Sequence, residues 1–238
     1  MVEKQAEQNF SSPELRKTAD GSHTLFHPEL NETYHSVHGA IQESDHVFIK
    51  AGLDFFIPQN PNYAEINILE IGLGTGLNAL LTYIESAKNA LKINYTALEA
   101  FPVSEKIYSA LNYNEVLNLD ESQSIFRQIH ICDWDKKHQF SSNFSFKKIQ
   151  TKLEEFTSDQ QFNIIYFDAF APQIQPELWT TAIFEKLYSM MHKNALLVTY
   201  CAKGQVRRNM QSAGFLVERL PGPPGKREMM RALKLSEL

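Results

Sequence analysis

At 238 residues, with 43% hydrophobic side chains and a formal net charge of −5, the chain is long enough for one full α/β core and short for two, taking roughly 100–200 residues per domain. The acidic balance argues against a general nucleic-acid binder, and no apolar run approaches the ~20 residues of a membrane span. The opening MVEKQAEQNFSSPELRK lacks the apolar core of a leader, so a soluble cytoplasmic protein is expected. Two cysteines, Cys132 and Cys201, form neither a disulfide framework nor a Cys-x-x-Cys pair and read as ordinary thiols. Charge is unevenly spread: residues 201–238 hold eight bases against three acids, which fits either a local phosphate-binding surface or a solvated basic face.

Residues 1–60 are polar, and Asp20-Gly21 between β-favouring residues predicts a hairpin, followed by the segment HVFIKAGL leading to the core. We expect two units, an N-terminal extension over 1–60 and an α/β domain over 61–238, joined through the turn-rich QNPNYA. INILEI (66–71) reads as a buried strand, residues 76–90 as a helix and 93–100 as a second strand. A helix is expected from Pro102 to about Asn112, another near 121–130, and a strand over 144–150. FNIIYFD (162–168) is a further buried strand, and residues 176–192 form an amphipathic helix opening at Pro176. ALLVTYC (195–201) is a strand, the next helix ends at Gly214, and two last strands flank PGPPGK. Alternating strands and helices imply a mostly parallel sheet covered on both faces. The last two strands are too close for a helical crossover and must pair antiparallel. The expectation is a Rossmann-like α/β fold with a seven-stranded sheet whose last strand is reversed, plus the hairpin extension.

LEIGLGTGLN (69–78) sets Gly72, Gly74 and Gly76 between the first core strand and its helix. Glycines there allow positive φ and close approach of a ligand to main chain, beside free helix N–H groups. The G-x-G-x-G spacing departs from the G-x-G-x-x-G of dinucleotide sites, and no Walker lysine follows. Glu70 precedes the glycines. Glu99 ends the next strand, where a carboxylate can accept both hydroxyls of a ribose. Together they favour S-adenosylmethionine over NAD.

Ligands of open α/β sheets lie beyond the carboxyl ends of the strands, so Asp168, ending IIYFD, should face the same crevice. The run D-A-F-A-P resembles in layout the D/N-P-P-Y/F motif of amino-methyltransferases, in which the polar side chain orients an amine and the aromatic packs on the target. This makes Asp168, Phe170 and Pro172 the catalytic candidates. An alkylamine titrates near ~10 and an ordinary Asp near ~3.9, so Asp168 reads as an orienter of the amine more than a strong base. His35, His38 and His46 lack a fourth ligand for a metal, and His130-x-Cys132 reads as core.

Several further motifs resemble one family: Y-x-S-x-x-G-A with E-S-x-x-V-F from Tyr34 to Phe48, E-I-G-L-G-T-G-L-N, D-A-F-A-P-x-x-x-P-E-L-W-T, G-x-V-R-R-x-x-x-x-A-G-F and G-P-P-G-K-R-E-M. In this order and spacing they are similar to the methyltransferase part of the bacterial tRNA 5-methylaminomethyl-2-thiouridine biosynthesis enzymes (MnmC and stand-alone MnmD). The resemblance implies methylation by S-adenosylmethionine of the primary amine of 5-aminomethyl-(2-thio)uridine at the tRNA wobble position. It implies a tRNA anticodon stem-loop as partner and no metal. With the chain stopping at Leu238, it also implies no FAD-dependent oxidase half and a separate enzyme supplying the aminomethyl substrate. Donor-binding positions carried over are Tyr34, Glu43, Glu70, Gly72, Gly74, Gly76, Asn78, Glu99 and Asp168. Where relatives show Gly-Asp for the adenine, this chain has Gln150-Thr151; Thr151 is the positional substitute, with Asp133 less favoured. Trp179, Arg207, Arg208, Lys226 and Arg227 are the expected substrate and RNA contacts. Two other readings stay open: an N-methyltransferase of the same fold acting on a small-molecule or protein amine, and a non-catalytic tRNA-binding module.

Overall fold

A computed structural model describes residues 12–61, 63–118 and 120–235, without the side chains of 120–124. The opening residues 1–11, read above as lacking a leader, lie outside the described residues, as does Asn62 of the expected linker. Strands β1 (Glu14–Lys17), β2 (His23–His27) and β3 (Glu32–Thr33) form a small antiparallel sheet. Its first turn carries Gly21 at φ +87°, as the Asp-Gly pair predicts. The chain then enters a helical run: α1 (Ala40–Ser44), a wide-turned π segment (Asp45–Asp54) and α2 (Phe55–Gln59).

The N-terminus of α1 is capped from a distance. Its cap residue Gly39 has no side chain, and instead Thr18 Oγ1, Ser22 Oγ and Asp20 Oδ2 accept the amides of Ala40, Ile41 and Gln42 at 3.4, 3.4 and 3.0 Å. A Cβ on Gly39 would stand 2.7 Å from Asp20 Oδ2, so the close approach requires glycine.

The main sheet holds β4 (Ile66–Ile71), β5 (Ile93–Glu99), β6 (Lys137–Ser141), β7 (Phe144–Gln150), β8 (Phe162–Phe167), β9 (Met191–Thr199), β10 (Leu216–Pro221) and β11 (Glu228–Lys234). Their order is β10-β11-β9-β8-β4-β5-β7-β6. β7, β5, β4, β8 and β9 pair in parallel, while β11 runs antiparallel to both β9 and β10. The seven expected strands are present with the last reversed. An eighth, β6, pairs antiparallel with β7 at the edge; its Lys-His-Gln surface is polar and mostly exposed, the usual dress of an edge strand, and it carries no apolar alternation to betray it.

Helices α3 (Leu77–Asn89), α4 (Glu105–Tyr108), α5 (Tyr113–Leu117), α6 (Asp120–Ile131), α7 (Thr181–Ser189) and α8 (Gly204–Ser212) complete the layers. All six residues of β8 are buried. Ile164 and Tyr166 join the core under α3 and the π segment, and Ile165 and Phe167 the core under α7 and α8. At ~1.5–3 kcal/mol for each large apolar side chain fully buried, this two-faced burial explains the unbroken apolar run. Of the expected helix over 102–112 only the single turn α4 forms, and α5 begins after Asn112, which is drawn into the hairpin: its Oδ1 accepts His23 N at 2.8 Å and its Nδ2 donates to Gly21 O at 3.0 Å. The expected helix over 176–192 breaks at Thr180. Pro176–Trp179 is a 3-10 turn, and Thr180 caps α7 by accepting the amide of Ile183. No helix among the described residues is long and apolar enough to cross a membrane.

Candidate active site

A cavity of about 490 Å³ opens at the carboxyl ends of β4, β5, β8 and β9, where a parallel sheet places ligands. One wall is the glycine loop, with Gly72, Gly74 and Gly76 at φ +87°, +51° and +75°. A Cβ on Gly72 would lie 2.9 Å from the carbonyl oxygen of Asp168, and one on Gly74 3.3 Å from the Tyr34 ring. The loop is clamped from both sides. Gly72 N and Leu73 N donate to Leu98 O at 3.0 and 3.1 Å; behind it, Tyr113 Oη donates to Thr75 Oγ1 at 3.1 Å and His130 Nε2 lies 3.1 Å from Thr75 O.

Glu99 closes the next strand. Its Oε2 accepts Gly74 N and its Oε1 accepts Phe101 N, both at 2.8 Å. Each oxygen keeps a lone pair for a ribose hydroxyl. Thr151, Leu98, Phe101 and Leu153 line the neighbouring part of the cavity, a flat, largely apolar surround suited to a purine. Asp133, the less favoured adenine candidate, is exposed and pairs with Lys136 at 2.8 Å, away from this wall.

Beside the glycine loop stands Asp168. Its main-chain N–H donates to Ile71 O at 3.0 Å, and its Oδ2 accepts from Asn78 Nδ2 at 2.9 Å. Burial pushes its carboxyl up to about 7; the hydrogen bond from Asn78 opposes this, the Glu43 charge adds to it and the Lys226 charge opposes it. Glu70, wholly buried behind the wall, is pushed well above the ordinary carboxyl range by burial and by the neighbouring Asp168 charge. Tyr34 is also pushed up, by burial and by Glu99, and meets Phe170 edge to face with centroids 5.1 Å apart.

The loop after Asp168 is braced at several points. Phe170 N donates to Gln175 Oε1 at 3.0 Å, Trp179 Nε1 to Phe170 O at 2.8 Å and Tyr200 Oη to Ala169 O at 2.8 Å. Trp179 is therefore not a stacking surface for a base. It is 3% exposed, packs at 4.8 Å on Phe167, and supports the Phe170 backbone. Lys226 also departs from its expected role, since its Nζ lies 4.0 Å over the Tyr200 ring and 2.5 Å from Glu43 Oε1, while Glu43 Oε2 accepts Ser36 N at 2.6 Å. An ammonium so engaged is a wall of the cavity and not a free phosphate ligand.

The structure thus gathers Tyr34, Glu43, Gly72, Gly74, Asn78, Glu99, Thr151, Asp168, Phe170 and Lys226 around one space. Glu70, Gly76 and Trp179 back it; Pro172, Arg207, Arg208 and Arg227 stand outside its wall. Arg208 and Arg227 are exposed and Arg207 half-buried. Sequence reasoning missed Phe101, Gln175, Tyr200 and His35. Tyr200 sits just past the carboxyl end of β9, so strand-end position alone could have found it. His35 is buried in the wall, which pulls its imidazole down to about 4 and leaves it neutral. Among the described residues no three of His, Cys, Asp and Glu gather as metal ligands.

The residues fit a methyl donor of the S-adenosylmethionine type: a cradle that a Cβ would fill, a strand-end carboxylate with lone pairs to spare, and six carboxylates against two lysines around the cavity, which favours a cation. A parallel sheet with a reversed last strand and this cradle define the Rossmann-like methyltransferase class. Residues 120–235 match a family described as S-adenosyl-L-methionine-dependent methyltransferase. The "tRNA 5-methylaminomethyl-2-thiouridine biosynthesis bifunctional protein MnmC" of Leptospira interrogans serovar copenhageni is 28% identical over 211 residues, covering 85% of this chain and 32% of that protein. The MnmC of Idiomarina loihiensis is 26% identical over 218 residues, covering 84% and 35%. The crystal structure of MNMC2 from Aquifex aeolicus superposes with a TM-score of 0.75 at 24% identity, over 94% of this chain and 71% of that one. The chain is similar in sequence to these MnmC proteins and in fold to MNMC2, and it spans about a third of the length of the curated relatives it matches.

Proposed function

We propose that this chain transfers a methyl group from S-adenosylmethionine to the primary amine of 5-aminomethyl-(2-thio)uridine at the wobble position of tRNA, giving 5-methylaminomethyl-(2-thio)uridine. The substrate class is taken from the names of the relatives. The observation that carries the chemistry is Asp168, a half-buried carboxyl lining the same cavity as the glycine loop, held by Asn78 at 2.9 Å and raised to about 7 by desolvation. S-adenosylmethionine, when bound, supplies an electrophilic methyl group on a sulfonium. Asp168 holds the incoming nitrogen by hydrogen bond, and Phe170, fixed against Tyr34, forms the face on which the pyrimidine rests. Taking the proton of an alkylammonium costs about 9 kcal/mol for an ordinary carboxyl and about 5 for one titrating near 7. Asp168 therefore both aims the amine and receives its proton, a larger role than its residue type suggests. In-line alignment supplies much of the remaining acceleration.

RNA phosphates would be met outside the acidic cavity, by Arg208 and Arg227, with salt-sensitive affinity. The partner in this reading is the anticodon stem-loop, in the cytoplasm, with the aminomethyl group made by another activity. The test is nucleoside analysis of tRNA from cells blocked in this modification, after incubation with the protein and labelled donor. Label in 5-methylaminomethyl-(2-thio)uridine supports the reading. Label in a small or protein amine with none in tRNA overturns it.

A further inference from the structure

We propose that Glu70 and Asn78 are a positioning pair that acts on methyl transfer through Asp168, with Glu70 serving as a neutral acid that fixes which side of the Asn78 amide faces the reacting site. The proposal rests on the amine-methylation reading above. Asn78, in the first turn of α3, spends both N–H bonds of its Nδ2 on carboxyls: one on Glu70 Oε1 at 3.0 Å, the other on Asp168 Oδ2 at 2.9 Å. Glu70 has no exposed surface and Asn78 is 3% exposed. The other carboxyl oxygen of Glu70, Oε2, and the amide oxygen of Asn78, Oδ1, are buried without a hydrogen-bond partner.

Among the described residues no lysine, arginine or histidine pairs with Glu70; the charges that reach it are those of Asp168 and Glu99. Burial and the neighbouring Asp168 and Glu99 charges outweigh the opposing influence of Asn78 and Tyr95, so Glu70 keeps its proton and offers Oε1 as an acceptor. An amide presents donors on one edge and an acceptor on the other. With Glu70 accepting, the donor edge must also face Asp168. Reversed, Asn78 would point its carbonyl at the Asp168 carboxylate. The outcome is that Asp168 Oδ2 is committed to Asn78, leaving Oδ1 for the amine. This differs from an acid touching the methyl donor, because Glu70 lies behind the cavity wall. The other groups that act on Asp168 or are acted on by it are Glu43 from α1, Lys226 from the β10–β11 turn, Tyr95 from β5 and Tyr200 beyond β9.

Two readouts separate this proposal from the functional reading on which it rests. Carboxyl 13C NMR titration of Asp168 in the donor-free protein needs no activity, whereas the pH profile of kcat on tRNA does. Glu70→Leu and Asn78→Asp are expected to move the Asp168 midpoint upward and, in parallel, the acidic limb of kcat to higher pH, with kcat at pH 7 down about tenfold. Glu70→Gln, whose amide carbonyl still accepts from Asn78, should recover most of what Glu70→Leu loses and hold the midpoint within a few tenths of wild type. Donor titration by calorimetry establishes that each variant is folded, and Asn78→Asp serves if Glu70→Leu is not. A midpoint that falls in Glu70→Gln would mean that Glu70 is ionised and would overturn the proposal, as would an unshifted midpoint in Asn78→Asp. Wild-type protein that transfers no methyl to tRNA sinks the functional reading alone, because the NMR arm still decides the pair.

Discussion

The glycine-loop wall of the cavity is drawn from one short stretch within residues 71–78, whereas the adjoining wall is made of charged side chains from distant parts of the sequence: Glu43, Asp168 and Lys226. On the first wall, affinity comes from backbone that nothing may crowd. On the second, chemistry comes from carboxyls whose protonation is set by burial and by one another. Substitutions on the two walls should therefore fail in different measurements.

The largest effect is expected from Asp168→Ala. Removing a group that aims the amine and takes its proton should lower kcat by about 10²–10⁴-fold, with donor affinity by calorimetry little changed; collapse of donor binding would break the division between the walls. The pH profile sharpens it. Because activity needs ionised Asp168, kcat should fall about tenfold per pH unit below a midpoint near 7. Stability has the opposite sign. A folded pKa above the ordinary value of 3.8 means the folded state holds the proton more tightly, so this contribution is full below pH 3.8 and lost as pH rises through about 7. Urea midpoints of wild type should decline across that window more than those of Asp168→Asn.

Gly72→Ala probes the other wall. With φ +87° and a main-chain oxygen 2.9 Å from the new Cβ, it should cost about 1–3 kcal/mol of stability and weaken donor binding far more than it slows turnover of bound substrate. A smaller effect is expected at the Glu43–Lys226 pair. Glu43 is buried, but the Lys226 side chain is 32% exposed, so a double-mutant cycle of Glu43→Gln and Lys226→Met should give a coupling of about 1–2 kcal/mol in urea denaturation. The smallest belongs to Trp179→Phe. It keeps the packing and loses the hydrogen bond to Phe170 O, costing about 1 kcal/mol and raising KM for the acceptor without shifting the pH profile.

The alternation from Ile66 onward was legible because its strands are buried on both faces, as in the six consecutive buried residues of β8. Apolar runs bounded by glycine and proline leave few other readings. The carboxyl-end rule and the glycine spacing likewise brought Asp168 and Gly72 to one crevice before any coordinates. What escaped depends on partners distant in the chain. Asn112 stands between two short helices, its side chain claimed by the hairpin. Lys226 reads as a free base, yet Glu43, far away in sequence, occupies it. HVFIKAGL gave no hint of π-helical turns, nor of the close packing of Gly52 on the sheet, where a Cβ would lie 3.2 Å from Val198 and 3.3 Å from Tyr166. Local propensity does not see such contacts.

The bridge between Glu43 and Lys226 joins residues 183 positions apart, and Glu43 is itself placed by a helix whose start is capped from the 18–22 turn. During synthesis, the segment around Glu43 must therefore wait for the one around Lys226, 183 positions later, before the reacting cavity is complete. Contacts this long in sequence close slowly, and the waiting segment holds the apolar side chains Val47, Phe48, Leu53 and Phe56 that end up fully buried. Until the Lys226 segment arrives, that surface stays open to aggregation.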